Sequence, residues 1–277
     1  VCIGSHAAAQ NDRIRDTQVG WGWLYGASPS AIDAQIAAGS RPFAFQRVAP
    51  SQYDTVFVVN SGAYAVTGAD VLLNLSASAL TSSLALTGKR VLDLEPYDIG
   101  SGPVFNAIVV PNSGATAASG WSWVHGQTFS QVLAWLSANP TLRMIDLDYY
   151  ETGGVFRYSA VAVPNTGNNL QAASWYGTNA TEDDIEAVLQ ANDGRLIDVE
   201  VINGGGSGQP ARYAYIIIPQ NGVRSDWFPA VSDAEIPDLI NQYGGRIVCF
   251  ERYTSFGSTR YSVVLTNNSP PQTARIR

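Results

Sequence analysis

Carboxylates stand two residues apart in three alternating segments of this chain: Asp93 and Glu95, Asp146 and Asp148, Asp198 and Glu200. Glu251 matches the second position of a further pair. Residues i and i+2 of a strand share one sheet face, so each pair sets two acids side by side. Such acids are the equipment of a calcium site or of general acid and base catalysis. They also suit ion pairing, because an arginine opens each segment (Arg90, Arg143, Arg195 and Arg246), and Arg157, Arg212 and Arg260 recur ahead of the next strand. A position repeated through several units serves the repeat more often than a single active centre. Arg90, Asp93, Glu95, Arg143, Asp146, Asp148, Arg195, Asp198, Glu200, Arg246 and Glu251 are therefore expected to form a structural ion-pair series.

Other chemistry finds less support. A Ser-His-Asp relay needs a histidine with a dedicated partner, and the histidines are His6 and His125. His125 takes a slot that Tyr25 and Tyr176 fill elsewhere, so the position asks for a ring and not for a base. The cysteines and histidines are too scattered to hold zinc. Gly204-Gly-Gly-Ser-Gly208 lacks the Lys-Ser/Thr of a phosphate loop and reads as a hairpin loop. No catalytic residue, metal or cofactor is expected. The ligand-binding candidates are Trp23, Trp123, Trp175, Tyr176 and Trp227, since recurring rings can stack sugars or grip an extended peptide. Core filling is the competing role. One of Trp21/Trp23 and one of Trp121/Trp123 is expected to face outward.

These residues belong to a repeat with a period near fifty. Arg41, Arg90, Arg143, Arg195 and Arg246 open alternating segments and lie 49, 53, 52 and 51 residues apart. Asn60-Ser-Gly62, Asn112-Ser-Gly114, Asn165-Thr-Gly167, Asn221-Gly222 and a degraded Asn267-Asn268-Ser269 close the units. About twenty residues before each arginine comes an aromatic-Gly segment such as Trp123-Val-His-Gly126, which the second unit replaces with Gly68-Ala-Asp. Caps at Ser28-Pro29, Thr181-Glu-Asp-Asp184 and Ser232-Asp-Ala-Glu235 start helices, and Gly39, Gly194 and Gly244 stop them. Each unit thus reads as turn, helix, strand, strand.

One unit cannot bury its apolar sheet face and helix stripe alone, so neighbours must stack. The expected fold is α+β: five tandem helix-strand-strand repeats of about 50 residues in one curved or closed, barrel- or propeller-like array. The units span about 21–62, 68–114, 121–167, 172–222 and 226–269, between an N-terminal arm (1–20) and a tail (270–277). The 277 residues are 45% hydrophobic and 14% charged, with 26 glycines, 13 tyrosines and 7 tryptophans, a β-rich profile that excludes disorder. The net charge of -7 argues against a nucleic-acid partner. Nor is there an apolar run of about 18 residues to span a membrane. The start at Val1-Cys2-Ile3 reads as a processed N-terminus. A Cys2–Cys249 disulfide is the expected pairing and would tie the chain ends together, if the Cα atoms come within about 7 Å; the alternative is two unpaired thiols. Asn74, Asn179 and Asn267 begin Asn-x-Ser/Thr sequons and are candidate N-glycosylation sites.

The units resemble the tandem structural repeat of polyglycine hydrolases and related secreted bacterial proteins. The likeness is fullest at Trp123–Gly126, Arg143–Asp148 and Tyr158–Gly167 and runs from about residue 20 to 269. In the fungal enzymes the repeat precedes a β-lactamase-like domain that carries the catalytic serine. A Ser-x-x-Lys nucleophile motif needs a lysine three residues after a serine. Lys89 is the chain's single lysine and position 86 is Leu86, so the hydrolase activity does not carry over. The expectation is an extracellular, non-catalytic repeat protein that binds an extracellular peptide, glycan or polymer. The alternatives are a structural subunit that self-associates through its N-terminal arm, and a hydrolase with an unrecognised site.

Overall fold

The computed structural model describes residues 12–14, 17–206, 208–268 and 275–276, so Cys2, His6 and most of the arm lie outside the described residues. Five units follow one plan. The first runs β1 (Trp21–Ala27), α1 (Pro29–Ala37), β2 (Ser40–Ala49) and β3 (Gln52–Val59). The second has β4 (Asp70–Leu75), α2 (Ala77–Thr87), β5 (Lys89–Asp98) and β6 (Pro103–Pro111). The third has β7 (Ser122–Gln127), α3 (Phe129–Ala138), β8 (Leu142–Thr152) and β9 (Val155–Pro164). The fourth has β10 (Trp175–Ala180), α4 (Glu182–Ala191), β11 (Gly194–Asn203) and β12 (Arg212–Pro219). The fifth has β13 (Ser225–Val231), α5 (Ile236–Tyr243), β14 (Gly245–Ser255) and β15 (Ser258–Asn267). Each unit forms its own antiparallel sheet with the third strand in the middle, and β16 (Arg275–Ile276) pairs in parallel with the outer edge of β1.

The segment that opens each unit, aromatic in all but the second, is a strand and not the turn expected from sequence. Its pairing with the third strand is broken by a bulge, as between Leu24 and Ala27 or Leu72 and Leu75. A residue at positive φ sits in each of four bulges: Gly26, Asn74, Gly126 and Asn179. Only glycine or asparagine takes that conformation readily, and their recurrence is what made the segment read as a turn. In the first two units a side chain of the middle strand holds the bulge: Asp54 Oδ1 accepts from Gly26 N–H at 2.8 Å, and Asn106 Oδ1 from Asn74 N–H at 2.8 Å.

The helices begin where cap chemistry places them. Ser28 and Ser76 accept from the third residue beyond, and reciprocal capping boxes link Thr128 with Gln131 and Thr181 with Asp184. Ser232 and Glu235 bond each other, but α5 starts one turn later, at Ile236.

Middle strands such as Tyr158–Val163 and Tyr213–Ile218 are buried without alternation because neighbouring units cover both faces of the sheet. Val132, Met144 and Ala160 of the third unit share a core with Ile197, Ala214 and Ile216 of the fourth. Phe43, Val56 and Val58 of the first share one with Phe250, Val264 and Tyr261 of the fifth.

Asparagines clamp the links between units. Asn60 Oδ1 accepts from Val66 N–H at 2.7 Å, Asn112 from Ala118 at 2.7 Å and Asn165 from Gln171 at 2.8 Å. Asn268, at the end of the fifth unit, holds Val19, just before the first, through two bonds of 3.0 Å.

Candidate functional site

Each second strand carries a bulge just after its arginine, as between Val91 and Asp93, Met144 and Asp146, Leu196 and Asp198, and Ile247 and Cys249. Bulges re-aim side chains, and these turn the acids toward the second strand of the preceding unit. Asp93 Oδ2 accepts from Phe45 N–H at 3.1 Å, Asp146 Oδ2 from Leu94 at 3.0 Å and Asp198 Oδ2 from Leu147 at 2.7 Å. One residue type at one repeat position thus stitches three successive pairs of units.

The other oxygens of this set converge on Arg13. Its guanidinium donates to Asp93, lies 3.0 Å from Asp146 Oδ1 and 2.8 Å from Asp198 Oδ1, and reaches the Ile145 carbonyl at 3.3 Å. All four side chains are buried. Burial alone would lower the Arg13 pKa, yet the Asp198 and Asp146 carboxylates raise it, so the charge stays on. The position is completed by Ala44 in the first unit and Cys249 in the fifth.

Two residues further along the same strands lies a second set: Gln46, Glu95, Asp148, Glu200 and Glu251. Gln46 binds Arg252, its Nε2 donating to the Arg252 carbonyl at 3.1 Å and its Oε1 accepting the Arg252 N–H at 2.5 Å. Glu95 accepts from Arg47 N–H at 3.2 Å. Burial pushes the Glu95 carboxyl up to about 8 and lifts Asp148, Glu200 and Glu251 well above the carboxylate range, with their mutual repulsion adding to the effect. These four acids border a pocket of about 350 Å³. Tyr97, Asp98, Tyr149, Tyr150, Glu151 and Phe156 form the rest of its chemistry-bearing wall.

The expected ion-pair series is not what forms. Among the described residues no ion pair joins the strand arginines to these acids, and Arg41, Arg90, Arg143 and Arg195 grip backbone. Arg41 donates to the Tyr64 carbonyl at 2.9 Å, Arg90 to Thr116 at 2.9 Å and Arg143 to Asn169 at 3.1 Å, all in the turns that link units. Arg195 instead holds the carbonyls of Arg13 (3.2 Å) and Ile14 (2.8 Å), and Arg246 donates to the Tyr64 hydroxyl at 2.7 Å. Arg212 donates to the Asn179 carbonyl, and Arg260 makes an exposed contact with Glu235. The arginine stands ahead of the bulge and so meets the links, while the acids beyond it meet Arg13. Sequence reasoning missed Arg13 because it precedes the repeat and shares no period with it.

The aromatic candidates pack within and between units. Trp21 and Trp23 share a face of β1 and are both buried, against the expectation that one would face outward. Trp23, 0% exposed, stacks on Tyr25 at 4.6 Å and meets Phe250 and Tyr261, which removes it as a ligand contact. Trp123 packs on Phe105 and His125, burial lowers the His125 pKa, and Tyr176 OH accepts from Met144 N–H at 3.2 Å. Trp175 lies partly buried against the core that the first, fourth and fifth units share. Trp227 donates to Ser262 at 2.9 Å and edges a second hollow of about 320 Å³ beside Arg195.

The expected Cys2–Cys249 bridge is not formed. Cys249 is a free, buried thiol that donates to the Val199 carbonyl at 3.7 Å and lies 3.5 Å from Asp198 Oδ1. It occupies an aspartate's place in the inner set and points inward. Asn74, Asn179 and Asn267 are exposed. No described helix is long and apolar enough to cross a membrane. The chain matches no family model and no curated protein sequence.

Proposed function

We propose that the five units close into a propeller-like ring and that the ring is a secreted, non-catalytic module which binds an extracellular peptide at the pocket beside Glu95, Asp148, Glu200 and Glu251. Closure is supported by Asn268, which clamps Val19 as Asn60, Asn112 and Asn165 clamp the internal links. The bonds of Gln46 with Arg252 and of Tyr261 with Asp54 join the fifth unit to the first in the same sense. Kinship with the repeat of polyglycine hydrolases belongs to this reading, as does secretion, which the exposed sequon asparagines suit.

The observation that carries the binding reading is the pocket itself, a concave site with acids at its base and Tyr149, Tyr150 and Phe156 on its wall. Aromatic walls with a few convergent polar groups are the usual make-up of a ligand site. The acids recur at one position through four units, as a scaffold's residues do. Peptide and glycan arrays probed with the full chain test the reading. Peptides are expected to bind, to be lost with Phe156→Ala, whose ring is 51% exposed, and to be kept with Trp123→Ala. Glycans alone, or no ligand, would overturn peptide binding, and turnover of a polyglycine or glycan substrate would overturn the non-catalytic assignment.

One observation favours a structural subunit as the second reading. β16 adds itself to the outer edge of β1, and each of the other four sheets has an outer strand of the same kind. Strand addition between copies would use those edges. Light scattering on the eluted protein separates the two, since a monomer excludes the assembly.

A further inference from the structure

Within the reading that the pocket is a binding site, we propose that its ligand is a guanidinium, the arginine side chain of a peptide, held by Glu95, Asp148, Glu200 and Glu251. The molecule already contains the interaction once. Two residues inward, about 6–7 Å along the strands, Asp93, Asp146 and Asp198 surround the guanidinium of Arg13. The planar fork suits the place because its several donors reach carboxylates from three different units at once. The outer set places a further acid on each of these strands, longer than the inner one in Glu95 and Glu200, and no described cation lies within 4.0 Å of its four acids.

The outer set also carries an open valence. Asp148 is 5% exposed, lines the pocket, and its Oδ2 has no hydrogen-bond partner. An unpaired buried carboxylate oxygen is costly, and a ligand donor would satisfy it. The Arg47 guanidinium, 4.0 Å above the Tyr97 ring, offsets part of the burial of Glu95 without forming an ion pair with it, and the charge of Arg252 acts on Asp54. A divalent metal is the weaker candidate, since the described His, Cys, Asp and Glu residues form no group of three or more suited to hold one. The volume of about 350 Å³ suits a side chain better than a bare ion. Phe156 and Tyr150 would flank the aliphatic stem.

The test titrates the full chain by calorimetry with N-acetyl-arginine amide, N-acetyl-lysine amide, N-acetyl-citrulline amide and calcium chloride. Citrulline keeps the shape of arginine and removes the charge. Saturable one-to-one binding of the arginine probe is expected, weakened at least tenfold in Glu200→Gln and in Glu251→Gln, with citrulline silent and lysine weaker than arginine. The amides should fold, because Gln46 occupies the same repeat position naturally. Equal binding of citrulline, calcium binding that excludes the arginine probe, or arginine binding unchanged in both variants would overturn the proposal. Array hits that Phe156→Ala abolishes but that contain no basic residue would defeat the guanidinium and leave the peptide pocket standing. Silence of both arrays and probes would defeat the pocket as well.

Discussion

Arg13 and Asp198 meet at 2.8 Å although 185 residues separate them. The same carboxylate takes the Leu147 amide on its other oxygen at 2.7 Å. Asp198 therefore joins the arm, the third unit and the fourth in one contact, and its equivalents Asp93 and Asp146 do the same for the units before it.

Removing Arg13 should destabilise the fold strongly. Arg13→Met leaves Asp93, Asp146 and Asp198 buried around an empty centre, and breaking a buried ion pair by deleting one partner costs about 3–5 kcal/mol. Urea unfolding at pH 8 is expected to show a loss of that order. Arg13→Met/Asp146→Asn should recover part of it, because one of the stranded charges is gone. A loss below about 1 kcal/mol would mean that the arm does not hold the inner acids.

The repeat, its period and its helix caps were readable because each recurs or has local chemistry, as with Thr181 and Asp184. The spacing of Asp93 from Glu95 also placed both on one face. What the acids face was not readable, since Arg13 lies outside the period and the bulge that turns Asp93 away from Arg90 has no sequence mark of its own. Cys249 misled in a different way. Its place near one chain end suggested a bridge, whereas its register places it where the other units carry aspartate. Trp23 looked like a ligand contact because sequence does not show that neighbouring units cover both faces of a sheet.

Trp23→Ala should unfold the first unit's contact with the fifth and leave the pocket's chemistry alone. The ring is stacked among Tyr25, Phe250 and Tyr261, and truncating a buried tryptophan costs about 3–5 kcal/mol. The expected result is a large fall in thermal midpoint with arginine-probe affinity unchanged below the transition. Loss of affinity at full foldedness would return Trp23 to the site.

Cys249 should behave as an inert thiol. It is buried, and burial together with the Asp198 charge pushes its pKa well above the usual range, which suppresses the reactive thiolate. Iodoacetamide followed by peptide mapping is expected to leave Cys249 unmodified in native protein and to label it in 8 M urea. Dithiothreitol should not move the thermal midpoint. A midpoint that falls on reduction would restore the disulfide.

Stability should decline as pH rises from about 5 to 8. The folded-state pKa of Glu95 is about 8 and those of Asp148, Glu200 and Glu251 are also raised, whereas in the unfolded chain such carboxyls titrate near 4. Between those values the folded protein holds protons that the unfolded chain has released, so each step up in pH favours unfolding. Below the unfolded value both states are protonated and the penalty vanishes. Facing these acids are Arg47 and Tyr97 beside Glu95, Tyr149 beside Glu200 and Glu251, and the inner Asp146, Asp198 and Arg13. Of these, Arg47 and Arg13 oppose the shift and the inner carboxylates reinforce it. Glu200→Gln and Glu251→Gln each remove a charge that must otherwise form in the dry site, so the decline should flatten in both and their midpoints at pH 8 should exceed that of the parent protein. Arginine-probe binding should run the other way, strengthening from pH 5.5 to 8 with release of protons, because the guanidinium binds the ionised acids. Opposite pH trends for folding and for binding, both reduced by the same two substitutions, would locate the two effects in one set of carboxyls; a stability profile that stays level or rises between pH 5 and 8 would place those protons elsewhere.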